Sequence, residues 1–124
     1  MTMYAPIEQA PLIDSAQLED LRAALGDDES DMILDLMAGD IAYRVKAILA
    51  AIGHNEGCKA RAEAHSLRGA ADGIGARRLA RSCGAVEFGA AHNLPGLSVR
   101  LERCSRDTIA AIAIARTQRV MSSV

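Results

Sequence analysis

Residues 56–75 have the sequence EGCKARAEAHSLRGAADGIG, which has the period of an amphipathic helix from about Glu56 to Asp72. At about 100° per residue, one side of this helix carries small and aliphatic residues, namely Ala60, Leu67 and Ala71. The opposite side, within roughly 60° of His65, carries polar or small residues, namely Arg61, Arg68, Gly69 and Asp72. The helix is therefore expected to bury a narrow apolar stripe and to display His65 to solvent. Gly73 is expected to end it in the left-handed conformation.

The rest of the chain also has helical periodicity. Apolar residues recur at helical spacing in four further segments, which predict helices at about residues 14–25, 27–52, 76–91 and 97–121. Asp14 or Ser15 can cap the first of these helices, and Met32 and Leu36 are among the apolar positions of the second. No segment alternates like a strand bounded by turn residues. The prediction is an all-α fold, an antiparallel up-down four-helix bundle with an additional short N-terminal helix.

The composition is that of one domain with an aliphatic core. The chain has 124 residues, half of them hydrophobic, yet it has two Tyr, one Phe and no Trp. We assign residues 1–13, which contain two of the three prolines, to an N-terminal tail and residues 14–124 to the bundle domain. Cys58, Cys83 and Cys104 form no CxxC pair, so they are predicted to be reduced thiols in the core. A chain of this size needs no disulfide framework or structural metal to fold.

The charges are distributed unevenly along the chain. Residues 1–40 carry ten acidic side chains and one basic one, whereas residues 41–124 carry thirteen basic and six acidic ones, which gives a formal net charge of −2. Within one bundle these charges compensate each other, and no aromatic residues lie between the basic ones to stack on bases, so no nucleic acid partner is predicted. The sequence shows no signal peptide and no apolar run long enough to span a membrane. A cytoplasmic protein without a membrane partner is expected.

His65 and its neighbours suggest group transfer. Gly69 lies one turn after His65 on the same face, although glycine within a helix costs about 1 kcal/mol relative to alanine. Its missing side chain leaves a bare patch where another protein can come close. A neutral imidazole is a nucleophile near neutral pH, and a phosphoryl group on it can be held by charge-assisted contacts from Arg68, with Arg61 as a further candidate. The pattern therefore suits a histidine that accepts and donates a group carried by another protein.

The run AHSLRGAADGIGARRL at residues 64–79, with Val86-Glu87 further on, resembles the signature of histidine-containing phosphotransfer (HPt) domains. That signature has the form A-H-x-L-K-G-[SA]-[SA]-x-x-[LIV]-G-A-x-x-L and is followed by an apolar-Glu pair. Arg68 stands where the family has its phosphate-facing lysine, and Gly69 matches the small residue beside the histidine. Three residues match packing positions of the family: Leu67, Ile74 and Leu79. Arg68 keeps the charge of lysine but replaces a compact ammonium with a planar fork, and Val86 stands where leucine is usual.

The resemblance implies a four-helix bundle in a two-component phosphorelay. In this reading His65 takes a phosphoryl group from the aspartate of one response-regulator receiver domain and passes it to another. The expected partners are receiver domains and a hybrid histidine kinase, and the predicted partner-binding residues are Arg61, Asp72, Arg77, Arg78 and Arg81. The sequence has no recognisable ATP-binding motif, so the chain is predicted to be a phosphotransfer protein and not a kinase. We expect a monomer that binds no cofactor, with magnesium on the receiver partner.

Two alternatives remain open at this point. The chain can be a helical adaptor that binds a receiver domain without being phosphorylated. It can also be the dimerisation and phosphoacceptor domain of a histidine kinase, since residues 65–68, HSLR, resemble that domain's H-E-L-R-T-P box; Ser66 and Gly69-Ala70 depart from it. A metal site formed by His54, Cys58 and His65 would require the helix to begin early, which Asn55 and Gly57 disfavour, so no metal site is predicted.

Overall fold

The computed structural model describes the backbone of residues 7–122 and the side chains of residue 7 and residues 9–117. These residues form five α-helices: α1 (Ser15–Leu25), α2 (Asp27–Gly53), α3 (Gly57–Gly73), α4 (Arg77–Phe88) and α5 (Leu94–Ser122). Two short 3₁₀ turns lie at Ile7–Gln9 and Ala91–Asn93, and the described residues contain no strand. The prediction of an all-α bundle with a short extra N-terminal helix is confirmed. Within residues 7–122, no helix is both long enough and apolar enough to span a membrane.

Helices α2 to α5 pack around one core. Helix α3 packs against α2 and α4, α5 packs against the same two helices, and α1 lies on α2. The largest fully buried side chains are aliphatic and come from all four long helices, among them Leu34, Ile41, Ile48, Leu67, Leu79, Leu101 and Ile112. The aliphatic core predicted from the composition is therefore present, and the motif positions Leu67, Ile74 and Leu79 are all buried.

Helix α3 ends differently from the prediction. Gly73 is still helical, and the positive backbone angle, φ 79°, is at Gly75. A Cβ atom at Gly75 would lie 3.3 Å from the Cβ atoms of Asp14 and Gln17. The turn thus needs glycine both for its conformation and for the close approach of α1. The prediction that Gly73 adopts the left-handed conformation is wrong. The position of the turn is set by the contact with α1, which is distant in sequence and cannot be inferred from α3 alone.

The break between the last two helices lies three residues earlier than predicted, at residues 89–93 instead of 92–96. Helix α4 ends at Phe88, and α5 begins at Leu94, where the sequence analysis expected about Leu97. Pro95 does not interrupt α5 because it lies in the first turn, where a backbone N–H has no helical partner to lose.

Three residues expected in the core lie at the surface. Met32 and Leu36 are 63% and 69% exposed, and Cys58 is exposed, whereas Cys83 and Cys104 are buried. The helical period identified α2 correctly but could not show which of its apolar sides the bundle covers.

The described part of the predicted tail contacts the bundle. Ala10 is buried, and the backbone N–H of Arg78 donates to Pro11 O at 3.1 Å. The guanidinium of Arg78 also donates to Ala10 O, at 2.9 Å. Residues 1–6 and 123–124 lie outside the described residues, and the domain boundary at residue 13 stays a prediction.

Asp14 fastens the start of α1 to the turn between α3 and α4. Its carboxylate accepts from the backbone N–H of Gln17 at 3.0 Å, which confirms it as the N-cap of α1. Its own N–H donates to Gly75 O at 2.8 Å, and Arg77 Nε donates to its carboxylate at 2.8 Å. The hydrogen bond from Arg77 holds the pKa of Asp14 below its ordinary value.

Replacing Asp14 by Asn tests this contact, because Asn keeps the cap but loses the charge. A carboxylate with a lowered pKa stabilises the fold fully above the ordinary aspartate pKa of about 3.9, and this contribution is lost as pH falls through the folded-state pKa. We therefore expect Asp14→Asn to unfold at lower urea concentration than the wild type at pH 7, and the difference to shrink below pH 4. The exposed Asp20 on the same helix supplies the control, Asp20→Asn. A difference that does not depend on pH would contradict the role of the Arg77 pair.

Candidate functional site

His65 lies on the outer side of α3. Its neighbours Ala64 and Leu67 are fully buried, and together with Ala60 and Ala71 they fix the rotation of the helix against the bundle. The imidazole consequently points outward, and its side chain is 64% exposed. The structure thus places His65 at the surface, where the helical period had placed it.

A carboxylate from the neighbouring helix holds the imidazole. Glu87, on α4, is only 14% exposed, and its Oε1 lies 2.6 Å from His65 Nδ1. An ionised carboxylate accepts hydrogen bonds only, so this contact favours the proton on Nδ1. That tautomer leaves the lone pair on Nε2. The site therefore has an exposed imidazole ring whose orientation is fixed by Glu87 and whose Nε2 is free to act as a nucleophile.

Arg68, one turn after His65, contacts the same carboxylate. Its NH1 lies 3.3 Å from Glu87 Oε2, and its guanidinium carbon lies 5.3 Å from the centre of the Phe88 ring. Such a contact between a cation and an aromatic face is attractive. Phe88 itself is 73% exposed. Arg68 is thus held beside His65 by two neighbours on α4 while a third of its side chain remains open to solvent.

Gly69 has no role inside the bundle. It lies within α3, and a Cβ atom there would meet nothing within 4 Å. Neither its backbone conformation nor the packing of its neighbours therefore requires glycine, although alanine would favour the helix by about 1 kcal/mol. The fold itself therefore does not explain the glycine at this position.

A groove next to Arg68 contains most of the predicted docking residues. It has a volume of about 230 Å³ and lies between α3 and α4. Its charged lining residues are Arg68, Asp72, Arg77 and Arg81. Asp72 and Arg81 are exposed, and Arg77 is paired with Asp14 at the edge of the groove. The structure therefore brings three arginines and one aspartate of the predicted site together.

Two other predicted docking residues are held elsewhere. Arg61 donates a hydrogen bond to Gly89 O at 2.9 Å and so holds the end of α4. Arg78 contacts the segment before α1, as described above. Both side chains stabilise the bundle, and their role in partner binding stays a prediction.

Glu87 and Phe88 are site residues that the sequence analysis did not identify. Glu87 was noted only as half of the apolar-Glu pair, with no function attached. The sequence signal for Glu87 is its position directly after an apolar residue: Val86 is fully buried, and Glu87 is itself only 14% exposed. Within the described residues, no three His, Cys, Asp or Glu side chains are placed to hold a metal ion.

A comparison with solved structures found a similar fold. The chain is similar to the crystal structure of histidine-containing phosphotransfer protein B (HptB) from Pseudomonas aeruginosa PAO1, with a TM-score of 0.80 and 26% sequence identity. The alignment covers 89% of this chain and 98% of HptB. The resemblance to HPt proteins is confirmed. Neither a protein-family model nor a curated protein sequence matches the chain. Since the alignment spans nearly all of both chains, the HPt likeness extends well beyond the motif around His65.

Removing the carboxylate tests how the site orients its histidine. In the wild type, ¹⁵N NMR of the imidazole at neutral pH should show the tautomer with the proton on Nδ1, because Glu87 accepts that proton. We expect Glu87→Ala to abolish this preference. Glu63→Ala, which removes a carboxylate from α3 itself, is the control and should leave the spectrum unchanged. The same tautomer ratio in the wild type and in Glu87→Ala would show that the 2.6 Å contact does not set the tautomer.

Proposed function

We propose that this chain is a phosphorelay intermediate that carries a phosphoryl group on His65. The observation that supports this function best is the exposed imidazole whose Nδ1 is held by Glu87 at 2.6 Å, because it leaves Nε2 as the nucleophile. The donor is the phosphorylated aspartate of a response-regulator receiver domain, including that of a hybrid histidine kinase. The acceptor is the aspartate of another receiver.

The transfer needs one bond to form and one to break. Nε2 of His65 attacks the phosphorus of the partner's aspartyl phosphate, an N–P bond forms, and the P–O bond to the aspartate breaks, which releases a carboxylate. The Nδ1 proton remains on the ring, where Glu87 stabilises the positive charge that develops on the imidazole. The reverse sequence delivers the phosphoryl group to the next receiver. The receiver supplies the aspartate and its magnesium, and this chain holds no cofactor in the proposal.

Arg68 is placed to stabilise the transferred group. It contacts Glu87 in the unphosphorylated chain and is partly exposed, so it can turn to a phosphoryl oxygen on Nε2 without a change in α3. Gly69 gives the receiver close access to the ring. The proposed docking surface consists of Asp72, Arg77, Arg81 and the exposed Phe88. Its arginines would contact acidic groups of the receiver.

In the proposed function, the chain receives its phosphoryl groups from other proteins. Its sequence has no recognisable ATP-binding motif, and HPt proteins are phosphotransfer intermediates without kinase activity. We therefore infer a phosphotransfer protein and not an enzyme that uses ATP, acting in the cytoplasm together with its receivers.

The variant His65→Gln tests the acceptor. Incubation with a phosphorylated receiver should label the wild type but leave His65→Gln unlabelled, because glutamine cannot form the N–P bond. His92→Gln, which removes an exposed histidine before α5, should be labelled like the wild type. Phosphate-affinity gel electrophoresis measures the label, and circular dichroism checks the fold. Label on His65→Gln would refute the assignment. A wild type that binds receivers but is never labelled would identify the adaptor, and label only with a separate ATP-binding domain would identify the kinase-type domain.

Two substitutions at Gly69 test the space around the histidine. Gly69→Leu should slow transfer roughly 10- to 100-fold, because a branched side chain keeps the receiver from reaching Nε2 in the right geometry. It should not unfold the bundle, since the position is open. Gly69→Ala, with a side chain of one carbon, is the matched control and should transfer within a few-fold of the wild type. Rapid-quench measurement of the first turnover gives the rates. Equal rates for all three proteins would show that no partner approaches over Gly69.

A further inference from the structure

Helix α2 is apolar on two opposite sides. Its inner side contributes Leu34, Ile41 and Ile48 to the core, all fully buried. Its outer side carries large apolar residues that no other element covers, and these are Met32, Leu36 and Tyr43, with exposures of 63%, 69% and 76%. At about 100° per residue, these three residues and Gly39 fall within an arc of roughly 60°, centred opposite the core side. A helix that is apolar on both sides usually has a neighbour on each.

The spacing of this outer stripe suits another helix. The residues lie at positions 32, 36, 39 and 43, so they alternate by four and three like the seam of a two-helix coil. Gly39 is at the middle of the stripe, and a Cβ atom there would meet nothing within 4 Å. As at Gly69, nothing inside the bundle requires glycine. Its absent side chain lets a second helix come close at the centre of the seam.

The charges along α2 indicate what kind of helix fits. The N-terminal half of α2 carries five acidic residues: Asp27, Asp28, Glu29, Asp31 and Asp35. Three of them pair within the chain, Asp27 and the buried Asp31 with Arg22 and Asp35 with Arg116, whereas Glu29 is exposed next to the stripe. Beyond Asp40, the C-terminal half carries no acid; Arg44 pairs with Asp40, and Lys46 is exposed. An antiparallel copy of α2 would place acidic and basic halves opposite each other, whereas a parallel copy would oppose like charges. A two-fold axis at Gly39 would put Lys46 opposite Met32, within one turn of Glu29 and Asp35 of the other copy.

We propose that α2 pairs in the antiparallel direction with α2 of a second copy of this chain, about a two-fold axis near Gly39. The pairing would cover Met32, Leu36 and Tyr43 of both copies. It replaces the monomer expected from the sequence. Helix α2 packs on α3 and α5, whereas His65 faces Glu87 on α4, so the dimer leaves the transfer site open. The proposal therefore does not depend on the function of His65.

The expected dimer is weak. Three large apolar side chains from each copy give a small interface, and small interfaces are typical of transient association. We expect a dissociation constant in the micromolar range. Association should weaken strongly when the seam is interrupted, because the seam supplies almost all of the contact.

Site-specific cross-linking tests the direction of pairing. Cys58 is first replaced by Ser, because it is the exposed cysteine; Cys83 and Cys104 are buried, and burial raises the pKa of Cys83 to about 12. In this background, Ala42→Cys should be joined into dimers by a short bis-maleimide, since its two copies would lie only about 9 Å apart along the helices at 1.5 Å per residue and Gly39 stays intact. Ala50→Cys, also exposed on α2, should not be joined, because its two copies would lie about 33 Å apart at 1.5 Å per residue.

Each result decides the matter. Cross-linking at position 42 alone supports the antiparallel pair. Cross-linking at both positions would show parallel pairing and would overturn the proposal, as would cross-linking at neither. Position 50 alone would also overturn it.

Sedimentation velocity, measured at protein concentrations between about 5 and 500 μM, tests which residues of α2 contribute to association. Leu36→Glu should weaken association at least tenfold, whereas Val99→Glu, at an equally exposed apolar position on α5, should not. Lys46→Glu should also weaken it, and Glu29→Lys in the same chain should restore part of the loss. Phosphotransfer by Leu36→Glu should match the wild type. A wild type that remains monomeric over this range would refute the dimer and leave the transfer function unaffected.

Discussion

The buried stripe of α3 fixes the orientation on which the whole site depends. Ala60, Ala64, Leu67 and Ala71 are completely inaccessible, and three of the four are alanines. Small side chains allow α2 and α4 to approach closely, so α3 cannot rotate without burying a charged group or opening a cavity. His65 is therefore directed outward by packing on the other side of its own helix. The chemistry at the surface follows from a constraint in the core.

The period of α3 was enough to predict which side His65 occupies, because that question depends on residues within one helix. The end of the same helix could not be predicted in this way. Gly73 and Gly75 are both plausible turn residues locally, and the choice between them is made by Asp14 and Gln17, whose Cβ atoms approach Gly75. The start of α5 is a similar case, since Pro95 suits a first helical turn as well as a break. Local sequence defines the helices, whereas contacts between distant residues set their ends.

The difference between local sequence and contacts between distant residues also explains which site residues could be predicted. The histidine and its arginine lie on one helix, and their proximity can be read from a spacing of three residues. Glu87 comes from α4, and its contact with both side chains depends on how α3 and α4 are aligned, which no single-helix pattern contains. Arg61 shows the converse: it lies on the correct face of α3, yet the Gly89 carbonyl holds its guanidinium. Facing the right way on a helix is therefore necessary for a site residue but not sufficient.

The glycines of this chain differ in whether the fold itself requires them. Gly75 has a positive φ, and a Cβ atom there would crowd Asp14 and Gln17 at 3.3 Å, so the chain's own structure accounts for this glycine. Gly69 and Gly39 are helical, and a Cβ atom at either would meet nothing within 4 Å. Each lowers the stability of its helix, and no contact inside the bundle compensates for this. Both also lie at the middle of an exposed surface, one beside the imidazole and the other within an apolar stripe. An open helical glycine does not by itself indicate a contact, since Gly53, Gly73 and Gly96 are also helical with nothing within 4 Å of a Cβ atom. What distinguishes Gly69 and Gly39 is the surface around them.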